Sequence, residues 1–271
     1  MFTPCANIDV HPDQVVQSLK GSAPDFSSIS LLNTAAVLFL IQSSCDTFQT
    51  PHLLLTKRSS LVKQAGDLCC PGGHVHQRLD RIFGRLLRLP FSPLKRSRGW
   101  RNLPQVEATW TKLLSIFWAC CLRESWEELS LQSWRVEFLG ALPLDQLRLF
   151  RQRILPLVGW MCYRAGFRLN WEVERVVPVS FDSLLEPMNY GVYIFDERGE
   201  GFEPWGQGPA AFPCFLHENN QGTEILWGAT YRIVMSFLKR LYDFDPPPME
   251  GRRIVKGRLS RNYLTGKTED E

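Results

Sequence analysis

The sequence predicts an α/β or α+β domain with a mixed sheet and a few long helices. Three observations carry that expectation. Short apolar runs without helical spacing occur at Thr34–Ile41 and Leu53–Lys57, as buried strands require. Leu79–Leu87 instead places Leu79, Ile82, Phe83, Leu86 and Leu87 on one face and Arg81, Arg85 and Arg88 on the other, the pattern of an amphipathic helix. The second half is a series of strand-like runs that closes on a helix at Ala229–Tyr242, with Ile233, Phe237 and Leu241 at helical spacing.

Taken in order, residues 1–30 form a polar lead-in with a short helix near Pro12–Lys20, and Ser43–Pro51 is a turn between the first two strands. Gly66–Gly73 (GDLCCPGG) is a tight loop, because Pro71 fixes one dihedral while Gly72 and Gly73 open backbone space closed to other residues. Leu89–Pro104 reads as a proline-containing basic loop, and a second helix runs from about Val106 to Leu129. Strands are expected at Val136–Ala141, Leu155–Tyr163, Glu174–Val179 and Phe212–Leu216. Asp145–Arg153 and Ser183–Leu185 are helical or turn connections, and 195–211 is a Gly- and Pro-rich loop. The domain is drawn at 31–244, with an insertion over about 79–112 and a polar tail over 245–271 that frays.

Hydrophobic residues make up 44% of the chain and aromatics 12%, enough for a sizeable core, which excludes a disordered chain. A net charge of +3 excludes a general nucleic-acid binder. The eight cysteines show no Cys-x-x-Cys spacing and read as reduced, mostly buried thiols. The N-terminus has no apolar signal core, and the longest apolar runs, Thr34–Ile41 and Ile116–Leu122, fall short of the roughly 20 residues that span a bilayer. The expectation is a cytoplasmic protein with no membrane partner.

The chemistry concentrates in Arg123–Leu131, RESWEELSL. On a helix, Glu124, Glu127 and Glu128 stand at i, i+3 and i+4 and share one face, while Leu122, Trp126 and Leu129 form another. Like charges at this spacing cost about 0.2–0.5 kcal/mol per pair. A divalent cation with oxygen ligands removes that cost. A glutamate-rich helix face is more often simply solvated; the glycine loop upstream and Arg123 beside the first glutamate are what favour a metal.

RESWEELSL resembles the second half of the Nudix box, Arg-Glu-apolar-x-Glu-Glu-x-Gly-apolar, and Pro71-Gly72-Gly73 looks like the loop that opens the first half. LLLTKRSSLVKQAGDLCCPGG, from Leu53 to Gly73, is similar to the segment that precedes the box in coenzyme A pyrophosphatases. WEVERVVPVSFDSLLEP and FPCFLHENNQGTEILWGATYRIVMSFL resemble later strands and the last helix start of that subfamily. The resemblance implies a Nudix-type α/β/α sandwich with a mixed central sheet. It makes Glu124 and Glu128 the principal ligands of Mg2+ or Mn2+, with Glu127 assisting, and Arg123 the brace between loop and helix. Some positions depart from the pattern. Forty-nine residues separate Gly73 from Arg123, which splits the box. Leu79 falls at the spacing of the first box glutamate, with Asp80 one residue later as the better substitute. Ser130 replaces the glycine after Glu-Glu, and Val62, Gln64 and Cys70 replace the subfamily's arginine, histidine and phenylalanine.

The implied reaction is substitution at phosphorus by a metal-activated water, in which Glu127, Glu128 and Arg123 serve catalysis and the base is Glu128, Glu172 or Glu174. Lys57, Arg58, Gly72 and Gly73 would meet substrate phosphates. Coenzyme A or acyl-CoA is the first substrate expected. A nucleotide sugar, a dinucleotide polyphosphate, a capped RNA and a non-catalytic binding module are the alternatives. The insertion carries eight basic residues from Arg78 to Arg101 against Asp80, a balance of +7. It reads as a flap that recruits an anionic small molecule, ahead of nucleic acid, or as a solvated excursion. Trp227 reads as core ahead of pocket lining. A homodimer is left open.

Overall fold

The computed structural model describes residues 10–22, 29–43, 51–103, 108–147, 152–162, 166–198, 210–259 and 263. In chain order the elements are α1 (Pro12–Ser18), β1 (Thr34–Gln42), β2 (His52–Arg58), β3 (Leu68–Cys69), β4 (Gly72–His74), α2 (Leu79–Leu87), α3 (Pro93–Arg96), α4 (Arg98–Arg101) and α5 (Ala108–Leu129). There follow β5 (Glu137–Ala141), β6 (Asp145–Leu147), β7 (Gln152–Met161), β8 (Val173–Ser180), α6 (Phe181–Leu185), β9 (Tyr190–Arg198), β10 (Ala210–Asn219), β11 (Gly222–Leu226), α7 (Gly228–Tyr242) and β12 (Arg253–Leu259).

The apolar run at Thr34–Gln42 is continuous because β1 is central and covered on both faces. It pairs parallel with β7 and antiparallel with β2 and β4. The mixed sheet continues through β3 and β8 beside β2, and through β5 and β6 beside β7. Side chains alternate across it. Phe39 and Ile41 join the core beneath α7, where the Phe39 and Phe237 rings lie 4.5 Å apart. Ala36, Leu38 and Leu40 point the other way, to Phe117, Trp118 and Leu122 of α5. The result is helix, sheet, helix, the α/β architecture predicted. A second sheet, ordered β11-β10-β9-β12, stands apart from the first.

Several segments differ from expectation. The basic loop at Leu89–Pro104 contains α3 and α4, because Ser92 caps α3 by accepting from the Lys95 N–H at 3.2 Å and Trp100 is buried. Residues 104–107 lie outside the described residues, so the start of α5 is seen only from Ala108. Asp145–Leu147 is a strand on β7 and not a helical connection; 148–151 lie outside the description. β9 runs to Arg198, into the expected glycine loop, whose residues 199–209 are not described, as are 44–50 of the Ser43–Pro51 turn. The tail that was expected to fray supplies β12, which pairs parallel with β9. Its Ile254 and Val255 sit among charged residues, too short a pattern to signal a strand without that partner. Among the six described cysteines, Cys70, Cys120, Cys121 and Cys214 are buried, Cys69 is half-buried, Cys162 is exposed, and none forms a disulfide. Cys5 and Cys45 lie outside the described residues.

Candidate functional site

The glycine loop is fixed to the central strand from both sides. The Leu38 N–H donates to the Pro71 carbonyl at 2.8 Å, and β4 pairs with β1 at Ala36 and Val37. Gly72 has φ +150, and a Cβ there would sit 2.3 Å from the Ala36 carbonyl oxygen, so only glycine fits. At Gly73 a Cβ would sit 2.6 Å from the Glu124 carboxylate. The two glycines therefore let the last turns of α5 lay their carboxylates directly on loop backbone.

Arg123 joins three elements. Its Nε donates to Asp80 Oδ1 at 2.9 Å and its Nη2 to Asp80 Oδ2 at 3.1 Å, a two-point grip on a fully buried carboxylate. The same Nη2 donates to the His74 carbonyl at 3.1 Å and lies 2.9 Å from Glu124 Oε1. Nη1 donates to Glu127 Oε2 at 3.0 Å. Asp80 is held in turn by the His76 N–H at 2.6 Å. The residue considered as a substitute for the missing box glutamate thus meets the arginine, although Asp80 comes from the insertion.

The three glutamates divide into two and one. Glu128 is buried, and that burial, together with the Glu124 charge, pushes its carboxyl up to about 8 against the partial relief of the Gly72 N–H. Burial also raises Glu124, with Arg123 opposing. Glu127 is more exposed and turns to Arg123. Among the described residues no group of three His, Cys, Asp or Glu side chains is placed to hold a metal ion. A buried and a half-buried carboxylate that repel each other suit Mg2+, which binds through one or two carboxylates and keeps waters and phosphate oxygens as its other ligands.

Arg58 and Glu172 reach this pair electrostatically, one lowering and one raising the Glu128 carboxyl. Arg58 donates from Nε to the Lys63 carbonyl at 2.7 Å and lines a cleft of about 380 Å³ with Asp67, Phe212, Trp227 and Arg232. Lys57, one residue earlier on β2, lies 3.2 Å from Glu224, which Arg175 also holds. Glu174 pairs with Arg175 on an exposed flank. Lys57 and Glu174 therefore face a separate ion-pair network.

Asp67 went unnoticed in the sequence, although it lies inside the glycine loop. It accepts from Trp227 Nε1 at 3.0 Å and from the Tyr263 hydroxyl, and burial pushes it up to about 6 against those two bonds and Arg58. Trp227 is buried, as its core reading expects, and it also lines the cleft.

Among the described residues, the insertion's basic helix α2 runs along α5 and away from the carboxylates. Asp80 of α2 meets Arg123, Gly84 packs on Ile116, and Arg88 lies beside Lys112, so α2 runs antiparallel along α5. Its arginines lead away from Glu124, about 18 Å along the helix by Lys112. Arg98 is consumed by Glu137 at 2.6 Å and Asp13 at 3.1 Å, and Lys95 lies over the Trp100 ring.

No family model matches the chain, and no curated protein matches its sequence. Among solved structures it is similar to a C. elegans Ap4A hydrolase, at 12% identity over 54% of this chain and 79% of that one, with a TM-score of 0.34. It is also similar to a Nudix hydrolase from Alicyclobacillus acidocaldarius, at 12% identity over 57% and 81%, with a TM-score of 0.38. A third is the Nudix domain of Shewanella oneidensis NrtR complexed with ADP ribose, at 15% identity over 59% and 80%, with a TM-score of 0.33. Superpositions of that quality carry no argument; the carboxylate geometry does.

Proposed function

We propose that this chain is a Nudix-type hydrolase that cleaves a pyrophosphate linkage in a nucleoside-diphosphate-linked small molecule. The observation that carries the proposal is the pair Glu124 and Glu128, one half-buried and one buried, set against Gly73 and Gly72 at a cost in charge that a cation offsets. Glu124 and Glu128 would hold Mg2+ or Mn2+, with Glu127 within reach of a water ligand. Such an ion neutralises phosphate charge and lowers the pKa of bound water.

The chain's own groups do the rest. Arg123, locked by Asp80, keeps helix and loop in one geometry, and so acts as a positioning residue. Arg58 offers a guanidinium to a phosphate at the mouth of the cleft. Glu128 or Glu172 accepts the proton, since Glu174 is tied to Arg175. Coenzyme A or acyl-CoA is the first substrate class, on the likeness of Leu53–Gly73 to the coenzyme A pyrophosphatases. Nucleotide sugars, dinucleotide polyphosphates and capped RNA follow.

The test is turnover by purified protein with Mg2+ or Mn2+ of coenzyme A, ADP-ribose, NADH and a diadenosine polyphosphate. Release of 3′,5′-ADP and phosphopantetheine supports the first class. Glu128→Gln should lower kcat by about 100-fold or more while the protein stays folded. No turnover of any compound with either metal would replace the enzyme by a binding module, the reading that the turn of Glu127 towards Arg123 favours.

A further inference from the structure

Next to the candidate site, and sharing Arg123 and Glu127 with it, lies the surface that α2 forms with the end of α5. Asp80 and Gly84 bury α2 against α5, yet the apolar stripe beside them has no cover among the described residues. Phe91 is 82% exposed, Trp126 60% and Leu86 53%, with Leu79, Ile82, Phe83 and Leu89 also exposed. Together with α5 this stripe lines an apolar groove of about 790 Å³. Monomeric proteins seldom leave a contiguous patch of this kind to water.

The other exposed flank of α2 carries Arg78, Arg81, Arg85 and Arg88, which with Lys112 border shallow depressions. None of the four arginines forms an ion pair among the described residues. Asp80, the only acid between Arg78 and Arg101, is spent on Arg123. The occupant of this face must therefore accept large apolar side chains and supply negative charge along more than two helical turns. A second copy would bring four more arginines to the interface and no free acid from its Arg78–Arg101 segment.

We propose that this face docks the protein on an anionic phospholipid bilayer. Phe83, Leu86, Phe91 and Trp126 sink into the acyl boundary, and Arg81, Arg85 and Arg88 lie among the headgroups. The sequence expectation of no membrane partner rested on the lack of spanning runs, and no described helix is long and apolar enough to cross a membrane. A surface dock needs no spanning run. It would set Trp126, two residues from each of Glu124 and Glu128, at the lipid surface.

The test is co-sedimentation of the full chain with vesicles of phosphatidylcholine containing phosphatidylglycerol, against phosphatidylcholine alone. Binding should require the anionic lipid and weaken with salt. Replacing Arg81, Arg85 and Arg88 with Gln should lower the partition coefficient about 100-fold, at roughly fivefold per charge. Phe83→Ser with Leu86→Ser should abolish binding without changing the circular dichroism, since both side chains are exposed. Brominated lipid should quench wild-type fluorescence more than that of Trp126→Phe, a readout independent of those variants. The proposal is overturned if the wild type stays in solution with anionic vesicles at low salt. It is equally overturned if the Phe83 and Leu86 variant binds undiminished, or if sedimentation shows a stable dimer that this variant dissociates while no vesicles bind.

Discussion

Replacing Asp80 with Asn tests the brace most directly. The substitution keeps the shape of the side chain and leaves one oxygen for the His76 N–H, but puts an amide donor against a guanidinium that has only donors. Removing one partner of a buried ion pair costs about 3–5 kcal/mol. Arg123 is not left alone, because Glu124, Glu127 and the His74 carbonyl still face it. The lower end, about 3 kcal/mol, is therefore expected. At a urea slope near 3 kcal/mol/M, the midpoint should fall by about 1 M. Pairing Asp80→Asn with Arg123→Met separates the contact from its surroundings: with neither charge present, the double variant should recover part of the loss. A single-variant loss below about 0.5 kcal/mol, or additive effects in the cycle, would refute the brace.

Three further outcomes follow from the same geometry. Mg2+ should raise the thermal midpoint, with about 2.7 kcal/mol of stabilisation at a hundred times its Kd, and Glu124→Gln with Glu128→Gln should lose the effect in calorimetry. The Asp67 carboxyl is raised in the folded state from 3.8 to about 6, so the folded protein holds its proton more tightly than the unfolded chain. Its contribution is fully present below pH 4 and is lost as pH rises through 6, on the order of 3 kcal/mol; urea curves should show this component vanish in Asp67→Asn, and an unchanged pH dependence would be evidence against it. Ser130 ends α5 with φ +55, its N–H donating to the Trp126 carbonyl at 2.8 Å, so Ser130→Gly should stabilise by about 1 kcal/mol; a loss of stability would show that the serine hydroxyl, which donates to the Arg168 carbonyl, matters more.

Much of this was legible from side-chain periodicity. The strands β1 and β2, the helices α2, α5 and α7, and the shared face of Glu124 and Glu128 all follow from apolar spacing that a single element can express. What escaped is relational. β4, three residues with two glycines, is a strand only because β1 offers it hydrogen bonds. β12 likewise exists through β9. Helical spacing put Glu127 with the other two carboxylates, but it says nothing of a guanidinium that competes for Glu127 and Glu124. Lys57 and Arg58 read alike as a strand-end pair. The two-residue period sends them to different faces, one to Glu224 and the other to the cleft. Asp67 was invisible because its partners, Trp227 and Tyr263, lie 160 and 196 residues away.

The glycine loop and Arg123 meet although 49 residues lie between Gly73 and Arg123. Loop and helix do not have to be close in sequence; each has to be fixed to the sheet. The loop is held by β1, and α5 by its own apolar face on Leu38 and Leu40. Closing a longer connection between two fixed points is cheap, since each doubling of length adds only about 0.6 kcal/mol. The longer connection is also not slack. Gly84 lets α2 approach Ile116 and Gly99 lets α4 lie on the Leu139 backbone, contacts a Cβ would obstruct. The chain therefore returns along α5 with its first acid already aligned. Asp80 stands one residue beyond the spacing of the pattern that RESWEELSL resembles, yet α2 carries it to the Arg123 guanidinium, which joins loop, insertion and helix in space.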